Sequence, residues 1–241
     1  MSGDEAFRLW SYLAAHPLAA IAATLAAYLV GDAIWTASGR RPLLNPVLIA
    51  IVILSAALTL TGVPYARYFE GAQFIHVMLG PATVALALPL WNAARQIRRA
   101  AIPVFGALLI GSATAMLSAV GLAWLFGASE QIMATIAPKS ATTPVAMALS
   151  DQLGGQPGLT AVLVILTGVT GATLGTPFLN ALRLKDFRAR GFAMGLASHG
   201  IGAARALTVS QTAGAFASLA MALNALATAA LAPLLWRLIF G

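Results

Sequence analysis

Pro138-Lys139-Ser140-Ala141-Thr142-Thr143-Pro144 sets two prolines, three hydroxyls and a lysine between apolar stretches of membrane length. Proline cannot donate a backbone hydrogen bond. Irregular backbone at membrane depth persists only where protein or a water-filled cavity satisfies it, so such a break marks a candidate binding site. Two further interruptions lie outward from it, Gly80-Pro81 on one side and Ser198-His199-Gly200-Ile201-Gly202 on the other. Broken apolar helices of this kind are the pattern of a transporter.

Composition agrees. Hydrophobic residues make up 60% of the 241 residues and charged residues 9%, too few charges to solvate a globular surface. An all-α polytopic membrane protein is expected, a single transmembrane domain over 1–241 with room for roughly seven or eight spans and none for an extramembrane enzyme domain. The formal charge of +7 comes from short basic clusters between apolar stretches, which read as topology signals and not as a nucleic-acid surface. Cysteine is absent, which excludes disulfides, thiolate metal sites and cysteine nucleophiles. No separate targeting peptide is expected before the first apolar stretch.

Apolar runs predict spans at 17–37, 44–61, 73–92, 101–126, 157–180, 191–212 and 213–237. The segment 131–150, short and polar, is expected to enter and leave by one face as a re-entrant hairpin. Arg40-Arg41, Arg95 with Arg98 and Arg99, the cluster Arg183 to Arg190, and Arg237 all fall on the cytoplasmic side if the N-terminus is external and seven spans cross. The C-terminus is then cytoplasmic. In this arrangement the triplets 44–126 and 157–237 run in opposite senses, each with a discontinuous middle helix, which predicts an inverted repeat around a midplane site.

Chemistry concentrates at the breaks. If Pro144 opens a helix, the first-turn N–H groups and Lys139 favour an anion, with the hydroxyls of Ser140, Thr142 and Thr143 as further ligands; the plainer reading is a capped turn with Lys139 at the headgroups. A helix continuing past Ser198 would place Ser198, Gly202, Arg205, Thr208 and Thr212 on one face. Arg205 suits carboxylate recognition, and His199 is either a proton carrier or a packed ring satisfying a carbonyl. Thr83 either caps a half-helix after Gly80-Pro81, with His76 one turn upstream, or stands beside a plain proline kink without a site. Asn224 and the small residues of 167–175 read as helix-packing positions. The chain has no H-E-x-x-H and no Walker loop, and Ser198 and His199, adjacent in sequence, point apart; no enzyme is expected.

These residues resemble the LrgB/CidB family of bacterial inner-membrane proteins, related to the plastid glycolate/glycerate translocator. The matching stretches are 79–90, 138–147, 168–175, 198–202 and 214–221. The resemblance covers roughly 40–235 and departs from the family pattern at Ala203, where Thr is common, and at Gln211, where an acidic residue is common. It implies a multi-pass inner-membrane protein, often paired with a small LrgA/CidA-type partner. Members are described as carriers of small monocarboxylates and as antiholin-like modulators of murein hydrolase activity and autolysis. The favoured expectation is a secondary transporter for an acid such as glycolate, glycerate or pyruvate, in which Lys139 or Arg205 neutralises the carboxylate. A proton or monovalent cation is the expected companion, no cofactor or metal is expected, and a homodimer is the expected assembly. The alternative is an antiholin-like regulator that carries nothing.

Overall fold

Apolar residues on every side, with proline at or near the first position, make long helices that lipid or other helices must cover. A computed structural model describes residues 17–39, 44–78, 91 and 94–240, and among them every regular element is helical. The chain divides into two compact units, 1–85 and 86–241.

In the first unit, α1 (Pro17–Ala37) is followed by α2 (Pro46–Thr61) and α3 (Tyr65–Val77). The Asn45 side chain caps α2 by accepting from the Val47 and Leu48 amides, and Gly62 ends it at φ 68°. Gly31 lets α1 approach α2 closely, since a Cβ there would lie 2.5 Å from the Pro46 carbonyl oxygen. The Thr24 and Tyr68 hydroxyls join α1 to α3 at 2.7 Å. The span expected at 73–92 thus overlaps a helix that begins at Tyr65; Gly80-Pro81, Thr83 and Arg40-Arg41 lie outside the described residues, as does the side chain of His76.

The second unit holds α4 (Ala94–Arg99), α5 (Ala101–Leu125), α6 (Glu130–Ile136), α7 (Thr143–Gln152), α8 (Pro157–Ala181), α9 (Phe187–Val209) and α10 (Gln211–Phe240). Among the described helices of the whole chain, α1, α5, α8 and α10 are long and apolar enough to cross a membrane. Their outer surfaces are greasy: Ile102 is 88% exposed and Leu238 82%. Lipid is the solvent that suits such a periphery.

The segment 130–152 forms a helical hairpin. At seven and ten residues, α6 and α7 reach about 10 and 15 Å, well short of a hydrocarbon core of about 30 Å. The base of the hairpin is tied to the start of α8. Thr160 Oγ1 donates to the Thr135 carbonyl at 2.9 Å and meets Ser150 Oγ at 2.7 Å, while the Gln156 amide donates to Thr135 Oγ1 at 2.9 Å.

Helix α9 overturns the expected crossing at 191–212. Helical geometry stops at Ser198 (φ −129°, ψ 16°) and His199 (φ 41°, ψ −135°), and the chain reverses there. A straight helix would separate Phe187 from Val209 by about 33 Å. Instead both line one small cavity with Arg190, Met194 and Ala206, and a Cβ at Gly202 would lie 2.5 Å from the Met194 carbonyl oxygen. Residues 187–197 and 200–209 are therefore two antiparallel arms. The sequence suggested a crossing because a 22-residue stretch rich in small and apolar residues has the right length for one; length alone cannot tell a crossing from a hairpin closed by glycine. The expected common face also fails at Thr212, because Ser210 is extended (φ −162°, ψ 138°) and Thr212 belongs to α10.

The reversal changes the topology. Gly191 and Gly195 pack on the Ala213 and Ala217 carbonyls, so the first arm of α9 runs parallel to α10. Met116 and Val120 of α5 cluster with Ala232 near the other end of α10. Arg237 thus stands at the opposite end of this unit from the basic loop 183–190, against the expectation that both share a face. The helix–hairpin order occurs twice in opposite senses, as α5 with α6–α7 and as α8 with α9.

Candidate substrate site at two opposed hairpin tips

The two hairpins enter the bundle from opposite ends, and their tips meet near the middle of α5, α8 and α10. The first tip is the turn Pro138 to Thr142; the second is Ser198-His199. Glycines on α8 make room for the second. A Cβ at Gly171 would fall on the Ser198 hydroxyl, and one at Gly168 would lie 2.6 Å from the His199 ring. The small-residue face of α8 thus accommodates a tip and not a neighbouring straight helix.

His199 is 5% exposed, and its Nε2 lies 2.8 Å from the Val164 carbonyl oxygen, which can only accept; Nε2 therefore carries the proton in this bond. Its φ of 41° is unusual for a residue with a Cβ and costs about 1–3 kcal/mol unless the surroundings hold it. The Val164 bond and the packing against α8 provide that hold. Ser198 is 2% exposed beside it.

At the first tip, Lys139 Nζ donates to Ser140 Oγ at 3.3 Å. Among the described residues no carboxylate forms an ion pair with Lys139 or with Arg205. Thr142 occupies the N-cap of α7, but its side chain makes no capping bond, and Pro144 stands in the first turn as expected. That helix end, directed into the bundle, keeps the partial positive charge of uncapped amides.

Asn224 joins the tips. It is 1% exposed, and its Nδ2 donates to the Ser140 carbonyl at 2.9 Å and to the Leu196 carbonyl at 3.1 Å. Its Oδ1 accepts from Ser112 Oγ at 2.6 Å, and Thr228 approaches at 3.4 Å. A buried carbonyl left unpaired costs about 1–3 kcal/mol, so the broken backbone at each tip depends on this amide. Reading the sequence for helix packing placed Asn224 correctly on an interhelical contact but did not connect it to the breaks. Ser112 was missed because a serine inside a helix ordinarily bonds its own preceding turn, and nothing in the sequence signals otherwise.

The structure thus brings Lys139, Ser140, Ser198 and His199 to one place, with Thr142 and Thr143 at the adjoining helix start. Arg205 is not brought there. It lies six residues beyond His199 on the return arm, about 9 Å along the axis, half-buried, with Nη1 donating to Thr208 at 3.2 Å and its Nε buried without a partner. Thr83 lies outside the described residues. The loop before α9 is a solvated cap: Asp186 accepts from the Arg188 amide at 2.8 Å, and the hydrogen-bonded Arg188 guanidinium holds its carboxyl below the usual range. Among the described residues no cluster of histidines and carboxylates has the makings of a metal site.

The LrgB-like family model matches residues 24–238. The uncharacterized protein YxaC of Bacillus subtilis is 38% identical over 193 residues, covering 80% of this chain and 84% of that protein. The holin-like protein CidB of Staphylococcus epidermidis is 34% identical over 201 residues, with coverage of 83% and 88%, and that of Staphylococcus aureus is 33% identical over 200 residues. No solved structure matches.

Proposed function

This chain belongs to the LrgB family, and we propose that it is a secondary carrier of small monocarboxylates such as glycolate, glycerate or pyruvate. One observation carries the reading: two hairpins inserted from opposite ends meet at a lysine that has a hydroxyl for company and, among the described residues, no carboxylate. An anion crossing low dielectric needs a compensating positive group and half-helix N-termini at its midpoint, and Lys139 with the start of α7 supplies both. Ser140, Thr142, Thr143 and Ser198 would read the remaining oxygens, and His199 would close the second side of the site. Arg205 would be a second positive charge on the approach. A proton or monovalent cation would accompany the acid.

We read both hairpins as re-entrant, each opening to one face of a bacterial inner membrane. The inverted repeat is then one helix with one hairpin, 101–152 against 157–209, a narrower unit than the triplets 44–126 and 157–237. A homodimer and an LrgA/CidA-type partner belong to the same proposal. Enzymatic chemistry does not.

Purified protein in proteoliposomes is expected to take up at least one labelled acid among glycolate, glycerate, lactate and pyruvate. Lys139→Ala is expected to lower that uptake about tenfold or more, the weight of one charged hydrogen-bonding partner. Ligand at a hundred times its dissociation constant should raise stability by about 2.7 kcal/mol, visible as a shifted melting curve in detergent. Neither uptake nor shift with any of the four acids would instead favour an antiholin-like regulator acting through a partner.

A further inference from the structure

We propose that Asn224 is a positioning residue that latches both hairpin tips, holding the site closed to both faces at once. The carrier reading supplies its purpose. An asparagine amide has two N–H donors, and here each goes to a carbonyl freed by a chain break in a different hairpin: Ser140 in the first, Leu196 in the second. The orientation of the amide is fixed by its partners, because carbonyls only accept, while Ser112 Oγ donates to Oδ1 at 2.6 Å. An asparagine placed for helix packing alone would bond a neighbouring helix. Asn224 instead addresses the two places where regular backbone stops.

Its position gives the latch its consequence. Asn224 sits on α10, the continuous helix against which the first arm of α9 packs through Gly191 and Gly195, and α5 braces it through Ser112. Withdrawal of one tip toward its own face breaks one N–H bond and leaves the other intact. The freed N–H then faces the opening path, where water or a carboxylate oxygen can take it. Access can thus switch between faces while one tip stays anchored.

The test is hydrogen–deuterium exchange of the purified protein without substrate, comparing wild type with Asn224→Leu. Leucine keeps the branched shape, with more bulk, and removes both donors. Amides of 138–146 and of 196–203 are both expected to exchange about tenfold faster in the variant, while the middle of α5 and of α8 keeps wild-type rates, the size following from loss of about one net hydrogen bond at each tip. Asn224→Ala removes the same donors without bulk and should show the same paired response. Unchanged exchange at either tip, or a uniform rise across the whole second unit, would overturn the latch. Uptake by wild type without the paired response would sink the latch and spare the carrier; the paired response with no uptake of any acid would do the reverse.

Discussion

At the residue scale, the second tip exists because α8 offers no side chain where Ser198 and His199 must sit. Gly171 is the sharpest case, since a methyl there would coincide with the Ser198 hydroxyl, and the hydroxyl cannot retreat into a site that is already 2% exposed. Gly171→Ala is therefore expected to push the tip away from α8, lowering stability by about 1–3 kcal/mol, the usual range for overpacking. Thermal unfolding in detergent measures it. Gly158, whose added Cβ would meet nothing, is the control on the same helix and should tolerate alanine. Uptake by the Gly171 variant should fall with the displaced tip, whereas a variant that unfolds earlier but transports at the wild-type rate would detach Ser198 from the site.

At the scale of elements, the first hairpin depends on its base as much as on its tip. Thr160 is wholly buried and ties Thr135 and Ser150 together, so both short helices hang from one hydroxyl on α8. Thr160→Val keeps the shape and leaves the Thr135 carbonyl and the Ser150 hydroxyl short of a partner, for an expected loss of about 1–3 kcal/mol. Calorimetry in detergent would register it, and an unchanged melting point would show that water replaces the hydroxyl. The two hairpins differ in how plainly the sequence announces them. Two prolines six residues apart, around hydroxyls and a lysine, cannot continue a helix, so 131–150 reads as a hairpin more readily than as a crossing. The break at Ser198 to Gly202 reads equally well, but its outcome does not, because a kinked crossing and a full reversal ask for the same glycines. The one charge inside the expected span 191–212 was Arg205, an expensive load for a helix meant to span lipid and an ordinary one for a short arm whose base lies near water.

At the scale of the second unit, the reversal of α9 decides which charges share a face. With a straight α9, α10 would run back and bring Arg237 to the end occupied by Arg183 to Arg190. With the hairpin, α10 leaves from that end and spans about 45 Å, so Arg237 joins Glu130 and Asp151 at the other. Arg95, Arg98, Arg99, Arg183, Lys185, Arg188 and Arg190 remain together at one end, and the excess of positive charge predicts that this end faces the cytoplasm. An external C-terminus is the expected outcome, one arginine against seven basic residues being a tolerable exception. The chain has no cysteine, so a single introduced thiol reports its side of the membrane without background. Lys185→Cys and Arg237→Cys both fall on exposed positions. A membrane-impermeant maleimide should label Lys185→Cys only in inverted vesicles and Arg237→Cys only in right-side-out ones. Labelling of both thiols from one side would restore a straight α9 and, with it, remove the second tip from the centre of the bundle.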